Sequence, residues 1–96
     1  MYILTDELEQ QILNLWPSVR DSAFKDESVL AEFIAMPVDE LWAYHFGLGL
    51  HVRNNYLYPN EELRQQFIVD GILNADEMSS VMMRKWHKAL SEGIIN

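Results

Sequence analysis

Cysteine is absent from this sequence, and proline and glycine are scarce. Among 96 residues there are no cysteines, three prolines and four glycines. The lack of cysteine excludes disulfide scaffolds, thiolate metal sites and cysteine nucleophiles. The low proline and glycine content removes the dense turns that a many-stranded β fold requires.

Long apolar runs are missing as well. The longest, residues 34–38 and 46–50, are far shorter than the ~20 residues of a membrane span. The first seven residues contain neither a basic leader nor a secretory apolar segment. We therefore expect a cytoplasmic protein that does not bind a membrane.

Basic residues are few. Fifteen acids against seven bases give a formal charge of −8, and nine of the acids but only two of the bases lie in residues 1–52. Such a front half repels phosphate backbones, which argues against nucleic-acid binding, and it would attract a basic protein. The simpler interpretation, that acidic residues keep a small protein in solution, stays open.

The chain does contain enough apolar material for one core. Apolar residues make up 49% of it, including three Trp, four Tyr and four Phe. A chain of this length buries somewhat over ~60% of its unfolded surface. Its size fits a single ordered domain, residues 1–96.

Capping residues and helical spacing predict an all-α bundle of about five short helices. The predicted segments are residues 5–16, a second from 26 or 28 to 36, a third from 37 to 54 or 55, a fourth from 60 to 71 and a fifth from 74 to 93. Thr5 caps the first helix and Pro17 ends it, so residues 18–25 form a connection or a single turn. Asn74 and Glu77 form a capping box for the last helix.

The third predicted helix is apolar around much of its circumference. One face carries Leu41, Tyr44, His45, Leu48 and Val52, and another carries Trp42, Phe46 and Leu50. This pattern is typical of a helix in the middle of a bundle. Gly47 and Gly49 each cost roughly 1 kcal/mol relative to alanine, so we expect a neighbouring helix to approach closely there, with a local kink as the alternative.

Methionine is concentrated in the last helix. Met78, Met82 and Trp86 share one face and are predicted to lie in the core. Met83 lies off that stripe and is predicted to be exposed.

The sequence contains no recognisable catalytic or metal-binding constellation. His45 and His51 are six residues apart, which places them on opposite sides of a helix rather than at the i,i+4 spacing of a metal pair. Ser79 and Ser80 lie inside a helix without a partner base. We therefore predict a protein that is not an enzyme and that has no metal and no cofactor.

The most unusual stretch is residues 45–56, His-Phe-Gly-Leu-Gly-Leu-His-Val-Arg-Asn-Asn-Tyr. It resembles the signature of an uncharacterised bacterial family of small helical domains, a His-Phe-Gly-x-Gly core followed by an Arg-Asn pair and an aromatic residue. Residues 76–79, Asp-Glu-Met-Ser, match a second feature of that family. The resemblance covers roughly residues 39–90 and implies a compact helical fold without implying an activity.

His45, Arg53 and Asn54 allow two interpretations. In the favoured one they are structural, with Arg53 reaching a carboxylate or helix-end carbonyls and the asparagines ending the helix. In the other they line a cleft that binds an anionic small molecule, for which the planar fork of arginine is suited.

Charge, size and the missing chemistry favour a small acidic protein-binding domain. The sharpest version is an immunity-protein-like or antitoxin-like inhibitor that neutralises a basic, nuclease-like toxin by direct contact, with acids in place of phosphates. The predicted contact face consists of Glu9, Asp21, Asp26, Glu27 and Glu32. The alternatives are the anion-sensing domain described above and a structural oligomerisation module.

Overall fold

A computed structural model describes residues 3–96 and confirms the all-α prediction. The expectation that the first seven residues contain no leader rests partly on Met1 and Tyr2, and these two residues lie outside the described part. The five helices are α1 (Asp6–Ala23), α2 (Glu27–Ala35), α3 (residues 38–57), α4 (Glu61–Val69) and α5 (Ala75–Ser91). Within residues 3–96 there is no strand.

Helix α1 begins where predicted but continues past Pro17. The Thr5 side chain accepts a hydrogen bond from the Leu8 backbone N–H and so caps the helix. The predicted end at residue 16 and the connection over 18–25 were wrong, because the helix extends to Ala23 with Pro17 inside it. Proline removes one helical hydrogen bond, and the burial of Trp16 and Val19 on either side of it offsets that loss.

Helix α3 has the most irregular backbone of the described chain. It begins with 3-10 turns (Val38–Tyr44), continues as a π-helical segment (His45–Gly49), a short α segment (Leu50–Val52) and a second π segment (Arg53–Leu57). The predicted end at residues 54–55 was wrong. The Asn55 side-chain amide donates to the His51 carbonyl oxygen at 2.9 Å, so the side chain supports the helix that it was expected to end.

The boundaries of α4 and α5 follow the predicted capping residues. The Asn60 side chain accepts from the Leu63 N–H, and the Asn74 side chain accepts from the Glu77 N–H. Gly71 and Gly93 follow these two helices with φ angles of +89° and +72°, the left-handed conformation that ends a helix.

Helix α5 lies at the centre of the molecule and packs against each of the other four helices. The Trp86 and Trp16 rings have centroids 5.6 Å apart, and the Trp86 indole N–H donates to the Ile12 carbonyl at 2.7 Å. Met78, Met82 and Trp86 are buried as predicted. Met83 is also buried, which corrects the prediction that it is exposed, because α3 covers this side of α5.

Candidate protein-binding surface

The outer face of α3 carries three exposed apolar side chains at four-residue intervals. Trp42 is 76% exposed, Phe46 82% and Leu50 45%. We call these three residues the apolar ridge. The predicted division of this helix into two apolar faces is correct, since Leu41, Leu48 and Val52 on the other face are buried. The prediction that the helix lies inside the bundle was wrong, because no described helix covers the ridge.

A small pocket of about 290 Å³ lies between the end of α1, α2 and α3, and none of the three ridge residues lines it. Its walls are mostly apolar and consist of Ala23, Phe24, Val29, Tyr44, Gly47, Leu48 and His51. A Cβ atom at Gly47 would meet nothing within 4 Å, so the pocket faces open space at this residue. The Phe33 ring packs against both Phe24, at 5.3 Å, and Tyr44, at 5.1 Å, and fixes two walls of the pocket from the core side.

Four of the five predicted contact acids lie on the elements that form this pocket. Asp21, Asp26, Glu27 and Glu32 are exposed on the end of α1, the α1–α2 connection and α2. The hydroxyl and the backbone N–H of Ser28 donate to Asp26 and hold the pKa of that carboxyl below its usual value. Burial raises the pKa of Tyr44, which lines the pocket, and the negative charge of Glu32 raises it further.

The fifth predicted acid, Glu9, is engaged elsewhere. Its carboxylate forms an ion pair with the ammonium group of Lys85 and thereby joins α1 to α5. Four of the five acids therefore lie on the elements that line the pocket, whereas Glu9 pairs with Lys85 of α5. Their role as a contact face stays a prediction.

Arg53 is a structural residue in this fold. Its side chain is 5% exposed, and its Nη1 donates to Ser79 Oγ at 2.9 Å while its Nη2 donates to the His45 carbonyl at 3.1 Å. Its Nε lies 3.4 Å from a carboxylate oxygen of Asp76. The favoured interpretation of the sequence expected Arg53 to contact a carboxylate or helix carbonyls, and the side chain contacts one of each.

Close packing of α3 on α5 explains one of the two central glycines. A Cβ atom on Gly49 would lie 3.0 Å from Arg53 Nη1, 3.3 Å from the Tyr44 carbonyl oxygen and 3.4 Å from the Met83 methyl group. The absence of a side chain at Gly49 therefore lets the guanidinium group and α5 approach the backbone of α3. The expectation of a close approach is confirmed at Gly49, whereas Gly47 faces open space.

His45, Arg53 and Asn54 do not form a common cleft. Arg53 points into the core, Asn54 is exposed, and the His45 ring packs edge-on against Phe46 with centroids 4.7 Å apart. None of the three lines the pocket between α1, α2 and α3 or the larger groove along α5. The geometry therefore gives no support to the anion-sensing alternative at these residues.

A family of known domains matches most of this chain. It matches residues 21–90 and is described as a domain of unknown function, DUF6794. The chain belongs to this family. No curated protein and no solved structure matches the chain. The matched part of this DUF6794 domain contains the ridge, the pocket and the contacts of Arg53, and it confirms the resemblance to an uncharacterised domain family.

The DUF6794 domain also contains a polar network that the sequence analysis missed. Ser22 Oγ lies 2.9 Å from His51 Nε2 and 3.0 Å from the Tyr56 hydroxyl. The Asn55 amide nitrogen donates to the His51 carbonyl and lies 3.3 Å from His51 Nδ1. No short motif could have found this network, because Ser22 lies on a different helix, 29 residues from His51.

The network joins the end of α1 to α3, because Ser22 on α1 contacts His51 and Tyr56 on α3. Both ring nitrogens of His51 have a polar neighbour, since Nε2 lies near Ser22 Oγ and Nδ1 lies near the Asn55 amide.

Two further features of residues 3–96 bear on function. No group of three or more histidine, aspartate or glutamate side chains in this range is arranged to hold a metal ion. None of the described helices combines the length and the apolar character needed to cross a membrane.

Proposed function

We propose that this DUF6794 domain is a non-enzymatic protein-binding domain. The observation that carries the proposal is the exposure of two large aromatic side chains, Trp42 at 76% and Phe46 at 82%. They lie on α3, which also contributes four residues to the wall of an apolar pocket. Exposed aromatic residues are enriched at the centre of protein interfaces, where a few anchors contribute most of the binding energy.

The charge around this surface favours a basic partner. Residues 21–40 contain six acids and one base, Lys25. Acids at the rim of an interface attract a cationic partner over distance and increase the rate of association. The apolar ridge then provides affinity, since burying an aromatic side chain removes ~150–250 Å² from water.

The specific proposal is an inhibitor of a basic, nuclease-like toxin in a bacterial cytoplasm. Asp21, Asp26, Glu27 and Glu32 would occupy the positions that nucleic-acid phosphates take in the toxin's cleft. The support for this version is their exposure on the elements that form the pocket, together with a sequence pI of about 4.6. Apolar contact through the ridge distinguishes such a complex from non-specific attraction between opposite charges.

The experiment is purification of the tagged chain from its native host, followed by mass spectrometry and a binding titration with the purified partner. We expect a basic protein whose nuclease activity falls in proportion to the inhibitor added. The double variant Trp42→Ala/Phe46→Ala should weaken binding at least 100-fold, as expected for two aromatic anchors. The matched control is Val69→Ala/Leu73→Ala, because these two side chains are 78% and 71% exposed on another part of the molecule.

Salt dependence tests the electrostatic part of the proposal. Affinity should fall as salt rises from low concentration to physiological concentration, because exposed charges are screened over ~8–10 Å in that range. Glu27→Gln/Glu32→Gln should weaken binding and reduce this dependence. Salt-independent binding, or a partner without a basic surface, would contradict the inhibitor proposal.

The oligomerisation alternative makes a different prediction for the same ridge. If the ridge pairs with a second copy, light scattering will show a dimer that Trp42→Ala/Phe46→Ala converts to a monomer. A monomer that binds a different protein through these residues supports the proposed function.

A further inference from the structure

A second and larger groove runs along one face of α5. Its volume is about 720 Å³, within the range of ~300–1,000 Å³ that is typical of small-molecule sites. Apolar side chains in its lining come from three parts of the chain, since Leu4 precedes α1, Val38 begins α3 and Val81 lies on α5. The groove therefore offers an apolar surface bounded on two sides by other segments.

Cations are concentrated along this groove although the chain as a whole is acidic. Three of the seven basic residues, Arg84, Lys85 and Lys88, line it together with one carboxylate, Glu92. Lys85 is paired with Glu9. Arg84 and Lys88 are exposed, and neither forms an ion pair with a residue in the described range 3–96.

We propose that this groove binds a free amphiphile that has one anionic headgroup, a carboxylate or a phosphate, and an aliphatic tail. The tail lies on the apolar surface formed by Val38 and Val81. The headgroup is held by Arg84, whose planar fork matches two oxygens of either group, and by Lys88 one helical turn further along α5. One interpretation of the sequence placed anion binding at Arg53, which is buried. The present proposal places it on α5, where Arg84 and Lys88 are exposed.

This proposal is independent of the proposed partner binding. The groove is lined mainly by residues of α5, and although Val38 belongs to α3, the groove contains none of the three ridge residues. Trp42→Ala/Phe46→Ala should therefore leave amphiphile binding unchanged, so that failure of one proposal does not affect the other.

The test is isothermal titration of the purified chain with monomeric decyl phosphate, compared with decanol, inorganic phosphate and decyltrimethylammonium. We expect binding of decyl phosphate only, because the headgroup and the tail are both required. Arg84→Gln and Lys88→Gln should each raise the Kd about tenfold, as loss of a charge-assisted hydrogen bond predicts. The matched control is Lys25→Gln, which removes one exposed positive charge outside the groove and should leave the Kd unchanged.

A second pair of variants tests the apolar surface. Val38→Glu should abolish binding, whereas Val69→Glu, which introduces the same charge at an exposed valine on α4, should not. Both valines are exposed, at 56% and 78%, so neither change disturbs the core. Circular dichroism of the variants verifies this.

Four results would overturn the proposal. These are equal affinity for inorganic phosphate alone, equal affinity for the cationic amphiphile, equal weakening by Lys25→Gln, and binding to vesicles that contain phosphatidylglycerol without binding to monomeric decyl phosphate. The last result would assign the cations to a membrane surface rather than to a free ligand.

Discussion

The two central glycines of α3 provide a sharp test of how this helix packs. Gly47 and Gly49 are two residues apart in the same π-helical segment, and both lack a positive φ angle. A Cβ atom at Gly47 would enter open space, whereas one at Gly49 would lie 3.0 Å from Arg53 Nη1 and 3.3 Å from the Tyr44 carbonyl oxygen. Replacement of each glycine by alanine therefore makes the same chemical change in two different environments.

The two substitutions should change the free energy of unfolding differently. Alanine in place of a helical glycine stabilises by about 1 kcal/mol, and Gly47→Ala should show this gain in full. Gly49→Ala has the same gain but also crowds a buried guanidinium group and a backbone carbonyl, and overpacking of this kind costs about 1–3 kcal/mol. The free energies of unfolding of the two variants should thus differ by about 1–3 kcal/mol, with Gly47→Ala above the wild type and Gly49→Ala at or below it.

Thermal unfolding followed by circular dichroism measures this difference. For a domain of this size, 1 kcal/mol corresponds to a shift of about 4–8 °C in Tm. A double-mutant cycle with Arg53→Met identifies the source of the crowding, because the cost at Gly49 should fall when the guanidinium group is absent. If Gly49→Ala stabilises as much as Gly47→Ala, the close approach of the Arg53 guanidinium group to Gly49 does not exist.

Three further predictions concern residues whose roles the structure assigns. Arg53→Lys should lower the free energy of unfolding by about 1–3 kcal/mol, since one ammonium group cannot reach all three partners of Arg53; unchanged stability in urea unfolding would refute the structural role. Pro17→Ala should raise stability by about 1–3 kcal/mol by restoring a helical hydrogen bond in α1, and a lower Tm would mean that α1 depends on the proline. Asp26→Ala should lower the Tm at pH 7 and Asp26→Asn should not, because asparagine also caps a helix. The hydrogen bonds from Ser28 lower the pKa of Asp26, so the stabilisation that its carboxylate gives the folded state is present at pH 5–7 and is lost as the pH falls below about 4. An equal Tm difference between wild type and Asp26→Ala at pH 3 and pH 7 would contradict this.

Most of the helix boundaries could be predicted because they depend on local chemistry. Thr5, Asn60 and Asn74 each accept a backbone N–H of the following turn, an interaction between residues only three positions apart. Gly71 and Gly93 take a left-handed conformation that few other residues adopt. Residue type and position alone are enough to identify such signals.

The two wrong boundaries have different causes. Proline in a helix interior costs about 3 kcal/mol, and the local signal at Pro17 was read as the end of α1. Trp16 instead packs against Trp86, which is 70 residues away in the sequence, and this contact with α5 favours continuation of the helix. No local pattern reports a contact of this kind. At Asn55 the deciding contact is local, because its amide donates to the carbonyl of His51 four residues earlier and so continues α3 instead of ending it.

The prediction for α3 failed for a different reason, and that failure exposes the candidate binding surface. Helical spacing separated the two apolar faces correctly, but it could not show which of them another helix covers. An apolar face that packs in a core and an apolar face that binds a partner have the same composition, because both exclude water. The distinction depends on how many other helices can cover α3. Helix α5 covers the face with Leu48 and Gly49, and α1, α2 and α4 bury their own apolar faces in the same core. Trp42, Phe46 and Leu50 therefore remain exposed, since the described chain has no further helix to place over them.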